Sequence, residues 1–453
     1  MITVDKSGGL SFRVSNVSGE TRDHKVEFYL FLPGELHFTS AFMDEDTFYQ
    51  TVLSGSRTYY TYRYHLPLVH SRLASRDNMS SEQYRLSLSL FAFQFALSLE
   101  KTAQRFKEVE GESEEEIMEQ LEDIISLSQD FLRRLRRYRP KEEKLKKYYA
   151  NIDNYLSWFT EQCFLSLLAH MPRSKSYGEI RQRLVALCED EIAYRAEHRY
   201  NSEQVQNDST RLTNKMRLLR RLIEYPITIR ERQVVLGNNI RKAVKGIATA
   251  FIMVFVTLGV TKARHLLGEI TLSFLLLIAG VYALREVFKD DLRDLLWRWI
   301  RKGRPRWRKE FLDSTSGAKI GRQLEWLDYS TYEKLPDSIR KARRGKVTHR
   351  EETVVCFKTN TQMAPTKFLS GYDMTREIWQ FDLRSLSRLM DRGAQKIYQL
   401  KDGQVSRDSV EKRHQLNLII KETDQNGKET IRRWKINVNR SKVVDIEEVL
   451  GVQ

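Results

Sequence analysis

The sequence predicts an α+β membrane protein with a small N-terminal β/α cap, a long helical bundle, a central two-helix transmembrane hairpin and a C-terminal antiparallel β domain. Three patterns carry that expectation. Two uncharged apolar runs, Gly246 to Thr261 and Ile270 to Leu284, lie close together in an otherwise charge-rich chain. A helical pattern starts at Ser80 and continues to the first of these runs, whereas from Glu352 onward the period is two, as in strands. The boundaries that follow are 1–78 for the cap, 79–235 for the bundle, 236–309 for the hairpin with a basic, Trp-rich helix beside it, 310–350 for a polar connector and 351–453 for the β domain.

In the cap, "KVEFYLFL" (Lys25 to Leu32) and "TYYTYRYHLPL" (Thr58 to Leu68) are rich in aromatic and β-branched residues, and Pro33-Gly34 supplies a turn. His65 and His70, with His24 and His37 upstream, invite a metal reading. A five-residue offset puts two strand residues on opposite faces, and no acid or cysteine shares the motif, so they read as structural or surface histidines.

Ser80 and Gln83 form a capping box ahead of "YRLSLSLFAFQFALSLEK". Its leucines and phenylalanines alternate like a strand, but the cap and the charged continuation favour a buried helix. In the next helix Ile117, Leu121, Ile124, Ser128, Phe131 and Leu135 repeat by four and three, a seam expected to pack within the chain. Acids at its start and arginines at its end complement the helix dipole. Three more helices follow, over Lys141 to Met171, Tyr177 to Tyr200 and "RLTNKMRLLRRLIEY". The acids of "CEDEIAYRAEHRY" lack the Glu-x-x-His repeat of a paired-metal bundle and read as a solvated face.

The two apolar runs are short for spans, since a helix crosses a hydrocarbon core of about 30 Å with roughly 20 residues. Lys245 and Lys262 can extend the first run by reaching the headgroups with their aliphatic stems. Basic residues crowd the outer flanks and thin out in the connector, which places both long flanking regions in the cytoplasm. The start of the chain reads as free of a secretory signal. Beyond the second run, "LLWRWIRKGRPRWRK" holds Arg298, Arg301, Lys302, Arg304, Arg306, Arg308 and Lys309 without an acid, interleaved with Trp297, Trp299 and Trp307. Tryptophan prefers the headgroup zone and each basic residue near an anionic leaflet gains about 1 kcal/mol, so this stretch reads as a surface-lying collar. Such a mixture also suits nucleic acid, but beside a span lipid is the simpler partner.

Strand candidates in the last hundred residues are "ETVVCFK", "REIWQFDL", "KIYQL", "HQLNLIIKET" and "TIRRWKINVN", with Asn426-Gly427 as a hairpin turn between the last two. The basic face of the final strand reads as the solvated side of a sheet. Three widely spaced cysteines, Cys163, Cys188 and Cys356, offer no disulfide framework. The net charge of +16 agrees with contact to anionic lipid or nucleic acid without choosing between them.

The stretch "GVYALREVFKDDLRDLLWRW" resembles the juxtamembrane segment of uncharacterised bacterial inner-membrane proteins with two central spans and a β-rich C-terminal region, although Asp291 stands where a basic residue is expected. The resemblance implies a bacterial inner-membrane setting, multi-pass with both termini cytoplasmic, and supplies no catalytic residues. Neither does any motif in the chain: no nucleotide-binding, metal or nucleophile pattern is present, and no cofactor is expected. Two functional classes remain, with an enzyme of unfamiliar type as a third, since catalytic residues need not be contiguous. One is a membrane-tethered sensor, scaffold or assembly subunit that binds a protein partner or itself. The other is a pore or transporter component built by oligomerising the hairpin, against which stands the absence of ionisable groups inside either run.

Overall fold

A computed structural model of the chain describes residues 2–18, 23–60, 80–108, 114–137, 139–140, 142–171, 174–267, 272–313, 317–343, 352–363, 374–390, 394–401 and 404–449. Strands β1 (Ile2–Lys6), β2 (Ser11–Ser18) and β3 (Asp23–Pro33) precede a short helix α1 (Glu45–Thr51) and strand β4 (Leu53–Tyr60). The bundle comprises α2 (Ser81–Glu108), α3 (Glu114–Arg137), α4 (Glu143–His170), α5 (Gly178–Glu197), the single turn α6 (Glu203–Gln206) and α7 (Ser209–Glu224). Strand β5 (Arg230–Val235) leads into α8 (Asn238–Leu267) and α9 (Leu272–Arg301), which return the chain to β6 (Trp307–Leu312). The remainder is β7 (Lys319–Thr331), α10 (Asp337–Arg343), β8 (Glu352–Met363), β9 (Met374–Asp382), β10 (Ala394–Lys401), β11 (Gln404–Glu411), β12 (His414–Thr423), β13 (Glu429–Val438) and β14 (Val443–Glu448). The expected histidine pair, His65 and His70, lies outside the described residues, as do the last eight residues of the strand expected over Thr58 to Leu68.

Among the described residues the strands form an eight-stranded sheet in the order β14-β13-β12-β3-β8-β7-β6-β5, a four-stranded sheet β1-β2-β9-β4 and a separate ribbon β10-β11. Every strand pair is antiparallel. The expected α+β class and C-terminal antiparallel strands are present, and Gly427, at a φ of 73°, supplies the left-handed residue that the β12-β13 turn needs. The division into an N-terminal cap and a separate C-terminal β domain does not follow the strand pairing. Strand β3 is paired on both edges, with β12 and β8, and β9 lies between β2 and β4. The cause is visible in β3 itself: from Val26 to Pro33 it is buried on both faces, so it belongs in the middle of a sheet.

The polar connector expected over 310–350 likewise contains a long strand of the large sheet. Strand β7 pairs along its length with β6 and β8, and its buried positions include Gln323 and Glu325 as well as Leu327. Polar residues at inward positions gave this strand the composition of a loop.

The two main sheets pack face to face over Phe12, Val14, Phe28, Leu30, Trp379, Phe381, Leu418 and Ile420. Rings of Phe12 and Phe381 stack at 4.8 Å, and Phe28 meets Trp379 edge-on at 4.9 Å. On its other face the large sheet is covered by α10, whose Ile339 and Ala342 pack on Tyr29, Phe31, Val354 and Ile419. That cover also explains Arg433, expected on a solvated face: it is buried, donating to the carbonyls of Ala342 and Arg343 and to Asn417.

In the bundle the α3 seam packs within the chain, as expected, with Phe131 held between Phe91 and Phe95 of α2 at 5.1 Å from each ring. Helix α2 is apolar on several sides, which explains its strand-like alternation; Leu86, Leu88, Leu90, Phe95 and Leu99 are all buried. The acidic stretch of α5 is only partly a solvated face. Glu189 and Asp190 are exposed, but Glu191 takes a two-pronged hydrogen bond from Arg136 at 2.9 and 2.6 Å, and Arg195 is buried against Glu161 and Ser157. Asp153 at the centre accepts from the hydroxyls of Tyr194 and Tyr200, each at 2.7 Å. Asp153, Glu161, Glu191 and Arg195 each have an internal partner, the mark of a structural network.

His24 carries a pH prediction. It is buried between the sheets, where the Asn16 amide lies 3.2 Å from its Nε2. Burial first, and the Arg57 charge second, lower its pKa from 6.5 to about 4. The unfolded chain gains a proton near 6.5 and the folded one only near 4, so His24 supports stability above pH 6.5 and withdraws that support as pH falls. About 2 kcal/mol should be lost from this residue between pH 7.5 and 5. Melting curves of the wild type and His24→Gln, compared over that range, should diverge by this amount; parallel curves would reject it.

Candidate membrane-contact site

Helices α8 and α9 are an excursion from the end of the β5-β6 pair. The strands run antiparallel up to Val235 opposite Trp307, and Leu236 N–H then donates to the Arg306 carbonyl at 2.8 Å. Gly237 turns the chain into α8 with a φ of 94°; a Cβ there would come within 3.3 Å of the Trp297 ring on α9. At the exit, Gly303 with a φ of 77° and Pro305 stop α9, and Trp326 Nε1 donates to the Gly303 carbonyl at 3.1 Å. Arg306 then reaches Glu45 at 3.2 Å and Asp328 at 3.4 Å. The hairpin is thus clamped at its base to α1 and β7.

Above the base, the two helices pack on one another and stand largely uncovered. Val244, Ala248, Ile252 and Val256 recur every fourth residue on α8 and form its buried seam. The other faces expose Ile247, Phe251, Val254 and Phe255, with Leu258 at 60% and, on α9, Leu276 at 67%. Helix α8 is long and apolar enough to cross a membrane over Asn238–Lys262, 25 residues or about 38 Å. Among the described residues α9 does not reach that standard. Its uncharged part runs from Leu272 to Leu284, about 20 Å, before Arg285, Glu286 and Lys289, while residues 268–271 lie outside the described set. Where two spans were expected, α8 and α9 pack on one another, and among the described residues only α8 has the length and composition of a span.

The residues expected at the membrane surface divide into groups. Lys245 and Lys262 are exposed on α8. Trp299 is 74% exposed, and Lys302 and Arg304 are also exposed, while Arg301 is half-buried and 3.9 Å from Asp46. Trp297 packs at the base, with Arg241 and Arg301 about 6 Å from its ring. The side chain of Arg298 lies outside the described set. Beyond Gly303 the expected collar gives way to strand. Trp307 is only 2% exposed, stacked on Tyr49 at 3.8 Å, and Lys309 is buried; these two belong to the core. Arg306 is tied to acids as described, and Arg308, half-buried, lies 3.5 Å from Glu310. A period of two over Trp307, Lys309 and Phe311, directly after a Gly-x-Pro break, was the signal for this strand.

Directly beneath the clamp lies a charged cluster that no sequence pattern announced. Lys309 sits 3.2 Å from Glu325 and 3.6 Å from Glu231, and the Tyr49 hydroxyl donates to Glu325. Across the sheet interface Arg57 of β4 pairs with Glu377 of β9, which also accepts from Gln323 at 2.7 Å. Burial raises the carboxyl pKa of both Glu325 and Glu231 against the pull of Lys309. Burial would lower the ammonium pKa of Lys309, but the two carboxylates hold it above its ordinary value. These groups join the two sheets below the hairpin by pairing with one another, and Arg57 Nε is left buried without a hydrogen-bond partner.

No family model, curated protein or solved structure matches this chain.

Proposed function

We propose that this protein is a membrane-tethered, non-enzymatic sensor, scaffold or assembly subunit, with its sheets and helical bundle in the cytoplasm and α8 and α9 entering the bilayer as a two-pass hairpin. The observation that carries the reading is the apolar, uncovered surface of both helices. An apolar area of that extent facing water is strongly unfavourable, and lipid or another subunit must cover it. Lipid fits because α8 is apolar around its circumference, whereas a helix meeting one partner needs only a stripe.

Depth follows from the charges. With α8 spanning, Lys262 reaches one headgroup layer and Lys245 the other. Helix α9 returns with Arg285 extending its stem toward the inner surface, and Trp299, Lys302 and Arg304 meet anionic headgroups there. A protein partner bound by the cytoplasmic part would complete the role. The resemblance of the α9 exit to bacterial inner-membrane proteins agrees with that setting.

Carbonate extraction tests the tether and cysteine accessibility its topology. The full chain should stay in the membrane pellet, and a cysteine at Ala263 should react with an impermeant maleimide from outside the cell. Release by carbonate would sink the tether; protection at Ala263 with labelling at the termini would reverse the orientation. An oligomer that conducted ions in liposomes would replace the tether by a pore.

A further inference from the structure

A cavity of about 790 Å³ opens between the helical bundle and the large sheet, away from the hairpin. It is lined by Arg85, Lys144, Lys147 and Arg230, against a single carboxylate among the described residues, Glu82. Tyr148 and Tyr225 form part of its wall, with the Arg85 guanidinium 5.7 Å from the Tyr148 ring and that of Arg230 5.8 Å from the Tyr225 ring. Asn151 also lines it.

We propose that this cavity binds a phosphate-bearing small molecule. Four cations converge on it from α2, α4 and β5, and among the described residues none is in an ion pair with a carboxylate. Such a group repels itself, and a polyanion relieves the repulsion while taking charge-assisted hydrogen bonds from arginine and lysine. The contrast with the rest of the protein is informative. Arg57, Arg136, Arg195 and Lys309 each have carboxylate partners inside the fold, whereas the four cations around this cavity have none among the described residues. The volume lies within the range of small-molecule sites, and tyrosine faces beside Leu86, Leu222 and Pro226 suit a flat ring attached to the phosphates. A soluble nucleotide has that chemistry, and so does the headgroup of a phospholipid. Position favours the soluble source: Arg230 begins β5, and Val235 at its other end, about 17 Å along the strand, adjoins the hairpin. The inference does not depend on the hairpin entering a bilayer.

Titration calorimetry on the full-length protein in detergent, with ATP, pyrophosphate and dihexanoyl phosphatidic acid as separate ligands, tests it. Binding should weaken at least tenfold in Lys144→Glu/Lys147→Glu, whose side chains are exposed and whose loss leaves the fold's circular dichroism unchanged. It should persist in Lys341→Glu/Lys428→Glu, which makes the same charge change elsewhere. Binding of ATP or pyrophosphate identifies a soluble ligand, and binding of phosphatidic acid alone identifies a headgroup; both uphold a phosphate site. No binding of any of the three, or equal weakening in the two double variants, overturns it.

Discussion

Replacing residues 237–305 with Asn-Gly should convert the protein from one that pellets with membranes to one that stays in the supernatant with its sheets intact. The expectation rests on the way the hairpin is mounted. Strands β5 and β6 are already paired up to Val235 and Trp307, and the Leu236–Arg306 hydrogen bond closes the last rung, so a two-residue turn can join the strands where the helices now leave. Excision removes the Trp297 contact with Gly237 and the Arg301–Asp46 pair, whose partly exposed charges contribute at most about 1 kcal/mol. What anchors β6 remains: the Trp307–Tyr49 stack, the Arg306–Glu45 pair and the Lys309–Glu325 pair are all outside the deletion. Ultracentrifugation and far-ultraviolet circular dichroism are the readouts. An excised chain that still sedimented with membranes would show that the hairpin is not the tether. Loss of the strand signal would show that the helices are needed for the sheets to form.

Arg57→Met should lower stability by about 3–5 kcal/mol, the largest effect expected of a single substitution here, because it leaves the buried Glu377 carboxylate without its cation. Arg57 is almost wholly enclosed, lying over the Phe311 ring at 4.7 Å with Thr361 and Thr375 each 3.4 Å from its guanidinium. Removing both charges in Arg57→Met/Glu377→Met should recover most of the loss, since a buried ion pair is often no more stabilising than apolar residues of similar volume. Thermal melting of the wild type, both single variants and the double variant closes the cycle. A single variant that lost less than 1 kcal/mol, or a double variant as unstable as the sum of the two singles, would mean that the pair is not coupled as its geometry requires.

Much of the local structure was legible in the sequence, and each success has a periodicity behind it. The α3 seam, the strands β3, β8, β9, β12 and β13, and the Asn426-Gly427 turn all follow from patterns among near neighbours along the chain. The misreadings have a common cause as well. Strand β7 places Gln323 and Glu325 inward because partners from other strands and from α1 are there to receive them; with polar residues on its buried face, it looks like a connector. Trp307 and Lys309 share a sign and composition with the exposed residues before them, and only the Tyr49 ring and the two carboxylates show that they point inward. The basic cavity was invisible for the same reason, being assembled from α2, α4 and a strand some 80 residues further on.

The sequence by itself determined the bundle helices, the strands of regular period and the presence of apolar segments at the centre of the chain, because propensity, period and hydropathy are properties of neighbours along the chain. Only the tertiary structure decided that β3 lies between β12 and β8, that the hairpin springs from the end of a β pair, and which basic residues face outward and which are neutralised inside. Those outcomes depend on a charge or an apolar face finding its partner on another element, up to hundreds of residues away, and the burial free energy that selects the partner exists only once the chain has folded.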